Sequence, residues 1–148
     1  MVASLIRGPQ LEQLAYDWAR IYASQETFGG TVSLVGPTSL ARSLSNPSGP
    51  PIRDIDFAAV ETTPRGSRRI LAIGEVKATT AKVGPTLLDR LDLVAALWEA
   101  KPPKGTTING PIKRVLFSGA GFTNELRRIG DRRDDVELVD LPRLYNGQ

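Results

Sequence analysis

Ile52-Arg53-Asp54-Ile55-Asp56 and Arg69-Ile70-Leu71-Ala72-Ile73-Gly74-Glu75-Val76-Lys77 are the two stretches that decide the fold. Side chains two positions apart in a strand share a face. Asp54 and Asp56 therefore point the same way, and so do Glu75 and Lys77, with Gly74 and Val76 opposite. Between the stretches, Glu61-Thr62-Thr63-Pro64-Arg65-Gly66-Ser67 is polar and carries Pro and Gly, which reads as a hairpin connection. An antiparallel pairing brings Asp56, Glu75 and Lys77 to one point. Charged residues inside an otherwise apolar strand need partners or a ligand to offset desolvation. Two readings of the segments follow. In one they form a Mg2+ site for phosphodiester cleavage. In the other they are solvated residues on the exposed face of a half-buried sheet, with a cross-strand ion pair to Asp54 or Asp56 that contributes little.

The rest of the composition narrows the chemistry. The chain has 148 residues, 24% charged and 41% hydrophobic, which suits one globular domain spanning 1–148 with a real core. It has no Cys and no His. Disulfides, zinc fingers, thiol nucleophiles, Ser-His-Asp triads and histidine bases are therefore excluded. Carboxylate, Lys, Tyr and hydroxyl chemistry remains, and oxygen ligands select hard cations, so Mg2+ or Mn2+ is the cofactor this inventory can hold. No apolar run approaches the roughly 20 residues of a membrane span, and no signal-peptide pattern opens the chain. A cytoplasmic protein with no membrane partner is expected.

A net charge of +3 is concentrated in the clusters Arg65/Arg68/Arg69, Lys101/Lys104, Lys113/Arg114, Arg127/Arg128 and Arg132/Arg133. Such clusters attract polyanions, nucleic acid among them, although they also describe ordinary solvated faces.

Leu11, Leu14, Ala15, Trp18, Ala19 and Tyr22 recur at helical spacing after Gly8-Pro9, and Glu12 lies at the margin of that stripe. Glu12 can reach the sheet from there, or serve as a first-turn residue favoured by the helix dipole. Thr31 to Val35 reads as a strand, and the Ser/Pro/Gly-rich stretch Thr38 to Pro51 reads as a mobile loop. Gly84-Pro85 opens a second helix bearing Leu87, Leu88, Leu91, Val94, Ala95 and Trp98, which ends at Lys101-Pro102-Pro103-Lys104-Gly105. A strand over Arg114 to Ser118, a Gly119-Ala120-Gly121 turn, a short helix from about Thr123 and a strand over Val136 to Val139 complete the chain. The order α-β-β-β-α-β-α-β describes an α/β protein with a mixed central sheet flanked by helices. Neither Gly119-x-Gly121 nor Gly36-Pro37-Thr38-Ser39 is a Walker-type phosphate loop, so no ATPase motor is encoded.

An N-terminal helix with Glu12, a strand holding Asp56, a strand with Glu75-Val76-Lys77 and a following helix, in this order, resemble the PD-(D/E)XK, or restriction-endonuclease-like, superfamily. Asp54-Ile55-Asp56, Gly74-Glu75-Val76-Lys77, Leu116-Phe117-Ser118-Gly119-Ala120-Gly121-Phe122-Thr123 and Val136 to Leu141 look most like the nuclease-like domain at the C-terminus of archaeal-type AAA+ ATPases. The resemblance implies that Asp56 and Glu75 are metal ligands, that Lys77 is the catalytic lysine and that Glu12 is an auxiliary acid. Asp54 falls on a position that is acidic in the family. In the mechanism this implies, Asp56, Glu75 and the Val76 main-chain carbonyl hold Mg2+, which polarises the phosphate and lowers the pKa of bound water. DNA is the implied partner, with an ATPase domain or partner and a homodimer as further implications.

The leading expectation is thus a Mg2+-dependent deoxyribonuclease. The rival is a catalytically inactive nucleic-acid-binding or regulatory domain of an ATPase-associated protein. A purely structural or oligomerising domain is a third reading, in which the apolar helix faces describe a core and nothing else.

Overall fold

The computed structural model describes residues 8–23, 25–36, 55–102 and 105–147. Asp54 and the stretch read as a mobile loop, 38–51, lie outside the described residues, as do Pro103 and Lys104.

Helix α1 (Gly8–Asp17) buries Leu11 and Ala15, then widens into a π-helical turn, Trp18–Tyr22, that buries Trp18 and Ala19. Ala23 N–H closes this turn on Trp18 O at 2.9 Å, an i→i−5 bond. One extra residue per turn rotates the stripe, which is why Tyr22, expected in the core, is 53% exposed. A short helix α2 (Gln25–Phe28) follows.

Six strands form one mixed sheet: β1 (Leu34–Gly36), β2 (Phe57–Thr62), β3 (Arg68–Lys77), β4 (Thr106–Thr107), β5 (Lys113–Ser118) and β6 (Val136–Asp140). The strand order is β1-β2-β3-β5-β6, and β4 pairs with the start of β3. The β1-β2-β3 part is antiparallel and β3-β5-β6 is parallel. The β2–β3 hairpin expected from residues 61–67 is present, closed by Thr63 N–H on Ser67 O (2.8 Å) and turned at Gly66, whose φ of 83° favours glycine. Strand β1 begins later than expected. Ahead of it, side chains make the links to the hairpin: Thr31 N–H donates to Glu61 Oε2 (2.7 Å) and Thr62 N–H to Ser33 Oγ (2.9 Å).

Parallel neighbours require crossovers, and two helices supply them. Helix α3 (Pro85–Ala100) links β3 to the second half of the sheet, and α4 (Asn124–Arg132) links β5 to β6. Thr123 Oγ1 caps α4 by accepting Leu126 N–H at 3.2 Å. The residues Leu88, Leu91, Ala95 and Trp98 of α3 pack with Leu126 of α4 against Ile55, Ala58, Val60, Ile73 and Leu116. On the other side of the sheet, Leu11, Ala15 and Trp18 cover Phe57, Leu71, Val76 and Phe117. Trp18 meets Phe117 edge-on at 5.7 Å, and Phe57 and Phe117 stand 5.0 Å apart. Strand β3 is covered on both faces, which explains its nearly unbroken apolar run. A terminal helix absent from the sequence reading, α5 (Leu141–Asn146), is capped by Asp140 Oδ1, which accepts Arg143 N–H at 3.1 Å. Among the described residues, no helix is long and apolar enough to cross a membrane.

Single members of three basic clusters are engaged in ion pairs within the fold. Arg114, 8% exposed, pairs with Asp135 (3.0 Å), Asp92 (3.1 Å) and Glu99 (3.6 Å) and donates to Ile112 O (2.7 Å). Arg133 grips Asp92 and Asp135 at 2.8 and 2.9 Å. In the Arg65/Arg68/Arg69 group, Arg69 is held by Glu61 (2.8 Å) and Gly29 O (2.8 Å). Arg114 and Arg133 tie α3 to the approach to β6, and Arg69 ties β3 to Glu61 of β2 and to Gly29, which corrects the reading of these three side chains as polyanion-attracting surface. Arg65, Lys101, Arg127, Arg128 and Arg132 do face solvent.

Candidate metal-hydrolase site

Asp56 stands one residue before β2 rather than within it. Its N–H still reaches Gly74 O at 3.1 Å, and the register Phe57↔Gly74 continued by one step sets Asp56 opposite Glu75. Its Oδ2 accepts the Val76 N–H at 3.1 Å. The carboxylate is thereby tied to the main chain between the two charged residues of β3.

Helix α1 closes on the same point. Tyr16 Oη donates to the Asp56 main-chain carbonyl at 2.9 Å. Glu12 lies one helical turn before Tyr16 and shares its face. The Glu12 carboxyl is pushed above its ordinary range, first by burial and then by the neighbouring Asp56 charge. Burial, Glu12 and Asp56, in that order, push the Tyr16 phenol up to about 12, so the hydroxyl keeps its proton and remains a donor. Glu12 and Asp56 thus lie within electrostatic reach of one another.

Glu75 is 1% exposed, which removes it from the solvated-face reading. Arg90 of α3 holds Glu75 Oε1 at 3.1 Å. Lys77, half-buried, ends β3 and lies beside Ser118 in the parallel register, and its carbonyl accepts Gly119 N–H at 2.9 Å. Alternation keeps Glu75 and Lys77 on one face, as expected, while Val76 packs in the opposite core. Gly74 has a packing reason: a Cβ there would stand 2.3 Å from Val115 O, so glycine permits β5 to approach β3.

Asp56, Val76, Glu75, Lys77 and Glu12 are therefore neighbours at one end of the β2–β3 pair. Among the described residues, however, no three acidic side chains are close enough together to hold a metal ion. The donor set still fits a hard cation in kind. Asp56 and Glu75 are cross-strand neighbours bearing oxygen ligands of the type hard cations take. A cavity of about 200 Å³ lined by Phe28, Arg69, Asn109 and Lys113 lies at the other end of β3 and has no part in this cluster.

Sequence reasoning missed Tyr16 and Arg90. Each had a signal. Tyr16 follows Glu12 by four residues, and Arg90 is the single basic residue of α3, the crossover helix that follows a strand with a buried acid.

No family model and no curated protein matches the chain. A solved structure does. The MspJI restriction endonuclease in complex with a 27-mer oligonucleotide is similar over 97% of this chain, with 14% identity and a TM-score of 0.37. The chain spans about a third of that protein, 32% of its length. At that depth the likeness carries no argument about the site, whose account stays with the strands and side chains above.

Proposed function

We propose that the chain is a metal-dependent nuclease of the restriction-endonuclease-like type, hydrolysing DNA phosphodiester bonds. The observation that supports this best is the tie between Asp56 Oδ2 and Val76 N–H, which sets one carboxylate against the Glu75-Val76-Lys77 run while α1 brings Glu12 to it. Asp56, Glu75 and the Val76 carbonyl would hold Mg2+ or Mn2+, and that ion supplies Lewis-acid polarisation of the phosphate and a more acidic bound water. The other roles belong to the chain. Lys77 neutralises charge developing on the phosphate or orients the water. Glu12 adds negative charge beside Asp56, and Tyr16 fixes the Asp56 main chain. The solvent-facing Arg127, Arg128 and Arg132 along α4 offer phosphate contacts. Work beside an ATPase domain or as a homodimer belongs to this proposal as well.

The test is cleavage of plasmid DNA in Mg2+ by wild type, Asp56→Asn and Lys77→Ala. Loss of cleavage in both variants, with the fold intact by circular dichroism, is expected. Cleavage retained in both would remove the assignment.

One observation favours a second reading, that of a non-catalytic DNA-binding or regulatory domain. Glu75 already has Arg90 as its cation. Metal-independent DNA binding that Asp56→Asn leaves unchanged, with no cleavage by wild type, would select that reading.

A further inference from the structure

The sheet has a gap at the end of β3 away from Glu75. Strand β4 pairs with β3 at Arg69↔Thr107 and β5 pairs with it at Ala72↔Lys113, so Ile70 and Leu71 have no ladder partner on that side. The chain between, 108–112, is too long to lie along them and loops away. On the other side the register passes from Ala59↔Ala72 to Val60↔Ile70, which leaves Leu71 as a bulge. Leu71 thereby packs in the core under α1, while Ile73 packs in the opposite one. Arg69 takes the same side as Leu71, because a Cβ on Gly30 would meet both side chains.

The cavity of about 200 Å³ opens at this gap, with Phe28, Leu71 and Pro111 as apolar walls and Arg69 and Lys113 as cations. Glu61 and Gly29 O occupy Arg69 Nη2, but the Arg69 Nε–H is buried and makes no hydrogen bond. A buried donor left without an acceptor is costly, and a ligand can supply the acceptor. Lys113 Nζ donates to the main-chain carbonyl of Asp134, which leaves ammonium donors over. Two carboxylates also line the cavity. Asp135 is neutralised by Arg114 at 3.0 Å and Arg133 at 2.9 Å, and Asp134 is exposed to solvent. An anionic acceptor with a hydrocarbon body therefore matches both the free donors and the walls. Since an apolar cavity of about 150 Å³ accepts benzene, this one admits about ten non-hydrogen atoms.

We propose that the cavity binds a small organic carboxylate, its oxygens held by Arg69 Nε and Lys113 Nζ and its apolar body set against Phe28, Leu71 and Pro111. The site stands roughly 20 Å from Glu75 along β3, at about 3.3 Å per residue, and does not depend on the nuclease reading.

The experiment is an NMR titration of 15N-labelled wild type and Lys113→Gln with benzoate, with its uncharged isostere benzamide, and with inorganic phosphate. Benzoate is expected to shift the Leu71 and Lys113 amides and the Arg69 Nε–H together, with a Kd on the order of 1 mM for so small a ligand. Benzamide lacks the charge and phosphate lacks the body, so each should bind at least about tenfold more weakly. Lys113→Gln should lose about tenfold for benzoate, the size of one charge-assisted hydrogen bond. The Arg69 Nε–H of wild type carries the test if Lys113→Gln does not fold. Benzamide binding as tightly as benzoate would make the cavity an apolar hole, and phosphate binding more tightly would remove the organic body; either overturns the proposal. So would an Arg69 Nε–H that stays in place while benzoate binds, or no response to benzoate at all.

Discussion

Arg114→Met separates structural charge from nucleic-acid charge. The side chain of Arg114 is 10% exposed and faces three carboxylates, at 3.0, 3.1 and 3.6 Å. Its Nη1 also donates to Ile112 O at 2.7 Å. Methionine keeps most of the stem volume, so the loss reports the guanidinium. Deleting one partner of a buried ion pair costs about 3–5 kcal/mol. Here the carboxylates of Asp92, Glu99 and Asp135 are 33%, 37% and 23% exposed, so water recovers part of the loss. Arg133 remains to hold Asp92 and Asp135. The lower end of the range, about 3 kcal/mol, is therefore expected. For a domain of this size that is a fall in Tm of roughly 6–12 °C. Thermal melts followed by circular dichroism measure the fall, and fluorescence anisotropy with a labelled duplex measures binding, which should not change. A Tm within about 2 °C of wild type would refute the reasoning about burial. A loss of DNA affinity as large as that of Arg128→Ala would refute the assignment of Arg114 to the fold.

Three further outcomes are expected. Gly74→Ala places a methyl group 2.3 Å from Val115 O, and forcing β3 from β5 should cost about 1–3 kcal/mol or more in urea unfolding; a wild-type midpoint would contradict the close approach. Glu12 binds its proton more tightly folded than unfolded, so its ionisation costs stability as pH rises through its raised pKa, and that cost is absent below the unfolded value of 4.5. Glu12→Gln should therefore raise Tm near pH 8 but not near pH 4, and a lower Tm near pH 8 would contradict the sign. Arg128→Ala and Arg132→Ala should each reduce the slope of log K for DNA against log salt by about 1; slopes equal to that of wild type would place the duplex elsewhere.

How much of this was legible before folding depended on period and chemistry. The hairpin, the Glu75/Lys77 alternation and the α3 stripe were legible because a two-residue or 3.6-residue period fixes a face without tertiary information. The resulting mixed sheet flanked by helices is the architecture expected. The boundary of β1 was not legible, because side chains of Glu61 and Ser33 replace ladder bonds there. Tyr22 was misplaced because the π turn that rotates it leaves no periodic signature. Terminal helix α5 is short enough that the Asp140-Leu141-Pro142 cap was its main signal. At the site, a buried Glu75 called for a cation, but finding Arg90 required knowing where α3 lies. The Arg114 and Arg133 clusters looked like surface because sequence runs of charge do not reveal the carboxylates that fold against them.

The proposed divalent-ion site at the end of the β2–β3 pair is tested most directly by titrating Mn2+ into wild type and Glu75→Ala by calorimetry, with DNA cleavage followed on the same samples. The account predicts that binding and cleavage are both present in wild type and lost together in Glu75→Ala. Wild type that binds no Mn2+ with DNA present, or Glu75→Ala that still cuts, would contradict it.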